Sequence, residues 1–100
     1  MNKYKVKYSP IFYYDLDAII SYIKFDLKNE ITANNLLNKI EEEIVFLLTN
    51  PLRYEKYETR AGNVFRIFYI NNYIIFYTIY ENIVEIRRII YSKKDLEELF

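Results

Sequence analysis

One hundred residues with no cysteine and no histidine exclude a disulfide framework, thiol chemistry, an imidazole base and a histidine-ligated metal, and no cofactor is expected. Formal net charge is zero, with 14 basic and 14 acidic residues, so the broad positive field of a protein that lives on nucleic acid is missing. Hydrophobic residues make up 52% of the chain, enough for one packed domain over residues 1–100 and too many for a disordered chain. No apolar run follows the first lysines and none is long enough for a bilayer, which leaves the cytoplasm as the expected location and no membrane as a partner.

Lys3–Tyr8 alternates strictly, with Lys3, Lys5 and Lys7 on one side and Tyr4, Val6 and Tyr8 on the other. This is the pattern of a half-buried strand whose lysines guard an edge. Ser9-Pro10 reads as an N-cap followed by proline at the first helical position. Phe12, Leu16, Ile19, Ile20, Ile23 and Leu27 then form one stripe of an amphipathic helix over Pro10–Leu27. Lys28-Asn29-Glu30 breaks it. Ala33, Leu36, Leu37, Ile40, Ile44, Leu47 and Leu48 mark a second helix over Thr32–Thr49, with Glu41, Glu42 and Glu43 on its solvated side. The short connection makes an antiparallel helical hairpin, and Asn50-Pro51 ends it. Leu52–Gly62 is a polar loop holding Arg53, Tyr54, Lys56, Tyr57, Arg60 and the chain's sole glycine.

The stretch Asn63–Tyr91 is β-branched and aromatic almost throughout, the chemistry of a pleated, buried surface. Asn71-Asn72 and Glu81-Asn82 divide it into three strands, and asparagine suits the positive-φ turns of tight hairpins. Two-residue loops set a register in which Phe68 pairs with Ile75 and Ile75 with Arg88, and Arg66 pairs with Tyr77 and Tyr77 with Ile86. One face then carries Val64, Arg66, Phe68, Ile70, Tyr73, Ile75, Tyr77, Ile79, Val84, Ile86, Arg88 and Ile90. The other carries Phe65, Ile67, Tyr69, Ile74, Phe76, Thr78, Tyr80, Glu85, Arg87 and Tyr91. Both faces are mostly apolar, so both need a cover. The helices supply one, and the expectation is that a partner supplies the other. Phe12, Phe46, Phe68 and Phe76 are expected in the core. Arg66 and Arg88, on the helix side, require carboxylates, for which Asp15 or Asp17 are placed. Lys93–Phe100 is a short charged tail of one or two helical turns. The fold expected is α+β, in the order β-α-α-β-β-β, with a helical hairpin packed on a mostly antiparallel sheet.

Several pieces, in this order and at these spacings, resemble the RelE/ParE superfamily of bacterial type II toxins. They are Tyr8-Ser9-Pro10, then Asp15-Leu16 with Ile19 and Tyr22-Ile23. Ala33, Leu37, Ile40 and Ile44 follow, then Leu47/Leu48 ahead of Pro51. Asn72-Tyr73-Ile74-Ile75-Phe76-Tyr77 is similar to the family's NYxIFY strand. Ile86-x-Arg88-Ile89-Ile90-Tyr91-x-Lys93-Lys94-Asp95-Leu96 is similar to its IxRILYxRRDL ending. The resemblance implies a toxin neutralised by a cognate antitoxin. It also implies one of two mechanisms: cleavage of mRNA on the ribosome, as in RelE-like members, or poisoning of DNA gyrase, as in ParE-like members.

RelE-like enzymes place lysine and arginine on the open sheet face, where cations steady the charge of the phosphorane. Aligned on Tyr73, those positions here are Phe65, Ile67 and Ile74, all apolar. Arg87, Tyr91 and Lys93, with Lys94, are the groups left for a reduced ribonuclease site, and a tyrosine hydroxyl of ordinary pKa is a poor base at neutral pH. The ParE-like branch is favoured, with Phe65, Ile67, Ile74, Phe76, Arg87, Tyr91, Lys93 and Lys94 expected to contact a partner. An inert toxin that retains only antitoxin binding is the third alternative.

Overall fold

Proline at the start of a helix and asparagine at the turns of a meander divide this chain cleanly. The computed structural model describes residues 3–94 and Leu96. The chain runs β1 (Lys5–Tyr8), α1 (Pro10–Ser21), α2 (Glu30–Leu47), β2 (Lys56–Glu58), β3 (Val64–Ile70), β4 (Tyr73–Tyr80) and β5 (Ile83–Tyr91). The strands form one sheet in the order β1-β5-β4-β3-β2. β1 lies parallel to β5 and the other pairings are antiparallel. The helical turns expected over Lys93–Phe100 fall largely outside the described residues. No helix among those residues is long and apolar enough to cross a membrane.

The ends of the elements follow from local chemistry. Ser9 Oγ accepts the Phe12 amide at 3.2 Å, and Pro10 occupies the first turn of α1. Asn29 Oδ1 accepts the Thr32 amide at 3.1 Å and caps α2. The meander loops put Asn71 (φ 52°) and Glu81 (φ 54°) in the left-handed region. Asparagine tolerates that conformation. Glutamate pays about 1 kcal/mol for it, so the second hairpin is held by its strands more than by its turn. Gly62 (φ 88°) sits in the turn between β2 and β3, which the Thr59 amide closes on the Asn63 carbonyl.

Both helices lie on one face of the sheet. Phe12 and Ile23, with Ala33, Leu36, Ile40, Ile44 and Leu47 of α2, pack on Phe68, Ile70, Ile75, Tyr77, Val84, Ile86 and Ile89. Burying two such stripes contributes on the order of ten kcal/mol gross each, most of it offset by conformational entropy. Tyr77 is fully buried and donates its hydroxyl to the Pro51 carbonyl at 2.6 Å, so the loop after α2 is tied into this core.

Four sequence expectations are corrected. First, α1 does not run on as a regular helix to Leu27. It passes into one π-helical turn, Tyr22–Asp26, whose extra residue rotates Leu27 out of the stripe and into solvent. Second, Phe46 is 51% exposed, lying on the flank between Ile44 and Leu47. Its ring is covered by the Arg53 guanidinium at 4.1 Å. Third, the polar loop contains β2, which adds an antiparallel edge to β3.

The fourth correction is the register of β5. Tyr77 pairs with Ile86 as expected, but Phe76 pairs with Arg88 and Ile75 with Ile89, because a β-bulge lies between. The bulge adds a residue at Arg87 and exchanges the faces beyond it. Ile89 therefore joins the helix-side core, and Ile90 joins Phe65, Ile67, Ile74 and Phe76 on the opposite face. Tyr91 leaves the face of Arg87 and stands across from Tyr73, their ring centroids 6.0 Å apart.

Candidate functional site

The bulge in β5 frees backbone groups, and α1 takes them. The Ser9 hydroxyl donates to the Arg87 carbonyl at 2.6 Å while it caps α1. Asp15, two turns into the helix, accepts Arg88 Nε at 3.0 Å and Nη2 at 2.9 Å, and its Oδ2 also accepts the Ile89 amide at 3.2 Å. The hydrogen bond to Asp15 raises the already high pKa of the Arg88 guanidinium, so the guanidinium stays charged. One carboxylate thus fixes both the side chain after the bulge and the backbone that follows it.

The two arginines assigned to structural pairing differ. Arg88 meets Asp15 in a fork geometry. Arg66 meets backbone instead, donating to the Leu52 carbonyl at 3.2 Å and the Tyr54 carbonyl at 2.7 Å. The expected carboxylate for Arg66 is replaced by the loop that crosses over it. Asp17 is exposed on the outer side of α1.

The bulge also separates the groups considered for chemistry. Arg87 is exposed, holds Glu85 Oε1 at 2.9 Å, and lines a groove with Ile11, Phe65, Thr78 and Glu85. Tyr91 lines a different groove, of about 590 Å³, between the C-terminal half of α1 and the end of β5. Tyr22, Tyr73 and Lys94 stand around that second groove, over Ala18, Ile19 and Ile89. Burial, with the phenols of Tyr91 and Tyr22 close by, lifts the Tyr73 hydroxyl above its ordinary pKa. Lys93 is exposed beyond the end of β5.

The face opposite the helices is not open. Phe65, Ile67, Ile74, Phe76 and Ile90 are each at most 9% exposed, and Phe76 is fully buried. Phe65 and Tyr57 both meet the Phe76 ring edge-on, at 5.8 and 5.7 Å, and Leu96 packs on the cluster. The chain supplies a second small core, where a partner was expected to do so. Among the described residues no group of three or more carboxylates stands together as a metal site.

Tyr22, Tyr73, Glu85 and Ser9 were not among the candidate site residues expected from sequence. The signal for Tyr22 is present, since Asp15, Ile19 and Tyr22 recur at helical spacing on one side of α1. The pairing of Tyr73 with Tyr91 required the register beyond the bulge, which no local pattern carries.

This architecture has known counterparts. A search of curated proteins finds no match. Among solved structures, the chain is similar to one from the chromosomal ParDE toxin-antitoxin system of P. aeruginosa, with a TM-score of 0.72 and 18% identity, over 91% of this chain and 98% of that one. It is also similar to YafQ from E. coli strain BL21(DE3), with a TM-score of 0.57 and 15% identity, over 89% of this chain and 93% of that one. At these identities the likeness establishes the fold, a helical hairpin on a five-stranded sheet. The model of the family described as the ParE toxin of the type II toxin-antitoxin system parDE matches residues 6–96. With Ser9 and Asp15 holding the bulged last strand at one end of that span and the NYxIFY-like strand beside it, the chain belongs to the ParE toxin family of type II toxin-antitoxin systems.

Proposed function

We propose that this ParE-family chain acts by attachment to a target such as DNA gyrase in the cytoplasm, and that a cognate antitoxin holds it inactive. One observation carries the reading. The positions at which RelE-like ribonucleases carry cations hold Phe65, Ile67 and Ile74, buried in an apolar cluster. A phosphorane has no charge partner there.

The remaining candidates for a ribonuclease do not converge. Arg87 is engaged by Glu85, and the bulge puts Tyr91 with Tyr73 in another groove. Exposed Arg87, Tyr91, Lys93 and Lys94 serve better as contacts for a protein partner.

Expression of the chain alone under tight control tests this. Growth arrest with DNA breaks and an SOS response is the expected result. Arrest with mRNA cut at ribosomes, abolished by replacing Arg87 and Tyr91 together in a protein that still folds, would establish the ribonuclease branch instead. A chain that folds and does not arrest growth is an inert toxin.

A further inference from the structure

Zero net charge conceals a segregation of charge. Lys5 and Lys7 project from β1 on the side of the sheet away from the helices, because Val6 and Tyr8 pack on the helix-side core. Lys3 continues the row past the start of the strand, where its carbonyl accepts the Asn82 side-chain amide at 3.4 Å. All three lysines are exposed, and none meets a carboxylate within 4 Å among the described residues. Glu85 is the one carboxylate at an outward position of β1 or β5, and Arg87 holds it at 2.9 Å. Glu41, Glu42 and Glu43 lie on α2, on the other side of the sheet. The edge also keeps free donors. The Lys5 amide donates to the Asn82 carbonyl and the Ser9 amide to the Ile86 carbonyl, both toward β5, so the Val6 and Tyr8 amides face the open side of β1.

We propose that this lysine row on β1 binds the phosphate backbone of duplex DNA, without reading its bases. The activity goes beyond the functional reading above, which holds or fails without it.

Three features select this occupant. The first is spacing. Alternate side chains on a strand repeat every ~6.6 Å, about twice the ~3.4 Å axial step between phosphates of one DNA strand, so an edge laid along a backbone meets every second phosphate. The second is donor type. Ammonium groups and main-chain amides are the groups that hold phosphate oxygens, and the Tyr80 hydroxyl, outward on β4 and 43% exposed, adds another. The third is the lack of an apolar anchor beside the charge. A protein hot spot or a membrane-surface helix needs one, whereas the row is flanked by half-buried Ile83 and by Glu85. Ile31 and Phe25, the most exposed aliphatic and phenylalanine side chains, stand at the end of the helical hairpin instead. The acidic side chains of α2 repel a duplex from the helix side, so it can approach only by the lysine edge. The positive field is local, and attachment is therefore weak and steeply dependent on salt.

The test titrates the full chain into a fluorescent mixed-sequence duplex of about 20 base pairs and follows anisotropy between about 50 and 200 mM salt. Three phosphate contacts give a slope of about −3 in log K against log salt, a loss of about fortyfold over that range. Lys5→Glu is expected to weaken binding about tenfold at the lower salt and to flatten the slope by about 1. It keeps a charge on the edge, so the chain should stay soluble with its thermal transition in place. Lys5→Arg should bind as the parent does. Lys28→Glu, exposed at the hairpin, makes the same change of net charge and should bind within about twofold of the parent. If Lys5→Glu lowers the thermal transition, Lys7→Gln carries the test, with the same flattening of the slope by about 1. A parent that does not bind the duplex overturns the proposal, and so does a folded Lys5→Glu or Lys7→Gln that binds as the parent does. An equal loss in Lys28→Glu overturns it too, because net charge alone would then be felt. Stronger binding to phosphatidylserine vesicles or to polyglutamate than to the duplex, at matched charge, would show the occupant to be misassigned.

Discussion

The two faces of the sheet are equally apolar and are covered by different means. On one, two long helices bring stripes of aliphatic residues onto Ile75, Tyr77 and Ile86. On the other, Phe65, Ile67, Ile74, Phe76 and Ile90 form a smaller cluster that Tyr57 and Leu96 help to close. Ile75 and Phe76 are neighbours on β4, point to opposite faces, and are both fully buried. An apolar face announces that it will be covered, and its composition does not say by what. A helical stripe on the same chain does, because its period and length can be matched to the sheet.

The largest effect expected is at Phe76. Its replacement by alanine should cost about 3–5 kcal/mol if the second cluster is a core in its own right, read as a lowered urea midpoint. A cost under about 1 kcal/mol would mean that this face is only shielded, and the comparison with Ile75 would fail.

Asp15→Ala removes the fork to Arg88 and the acceptor for the Ile89 amide together, and should cost about 2–3 kcal/mol. Amide exchange at Ile89 should rise more than exchange at Ile75, because the change acts on the strand beyond the bulge.

Tyr77→Phe removes the hydroxyl bond to Pro51 and should cost about 1 kcal/mol. Burial raises the Tyr77 pKa well above its ordinary value of 10.0. The folded chain therefore holds a proton that the unfolded chain releases above that value, so stability is full below pH 10 and falls as pH rises past it. The Phe variant should show a shallower fall, measured as the slope of unfolding free energy against pH. Phe46→Ala, on the solvent flank of α2 under Arg53, is expected to cost about 0.5 kcal/mol. A value near that for Phe76 would show that exposure is a poor guide to weight in this chain.

Much of the fold was readable from local pattern. The cap at Ser9-Pro10, the stripe from Phe12 to Ile23 and the paired loops at Asn71 and Glu81 are short-range signals, and the structure realises them. The features that escaped are long-range or very short. β2 is three residues of polar sequence and forms only because β3 offers an edge. The bulge at Arg87 depends on Ser9 and Asp15 from the far end of the chain. Since a single extra residue exchanges inside and outside, that one event moved Ile90 and Tyr91 to unexpected faces and split the candidate site in two. The pairing of Arg88 with an acidic side chain was foreseeable from charge and burial. The backbone partners of Arg66 were not, because carbonyls carry no residue label.

Ser9 and Arg87 touch across a sequence separation of 78, and among the described residues β1 has no neighbour in the sheet except β5. A ribosome making this chain emits the first strand long before the last, and closing so wide a loop is slow. Until β5 emerges, β1 is a loose ribbon with two lysines and no lodging. The sheet therefore cannot close along that edge until β5 has emerged, whatever has been made before it.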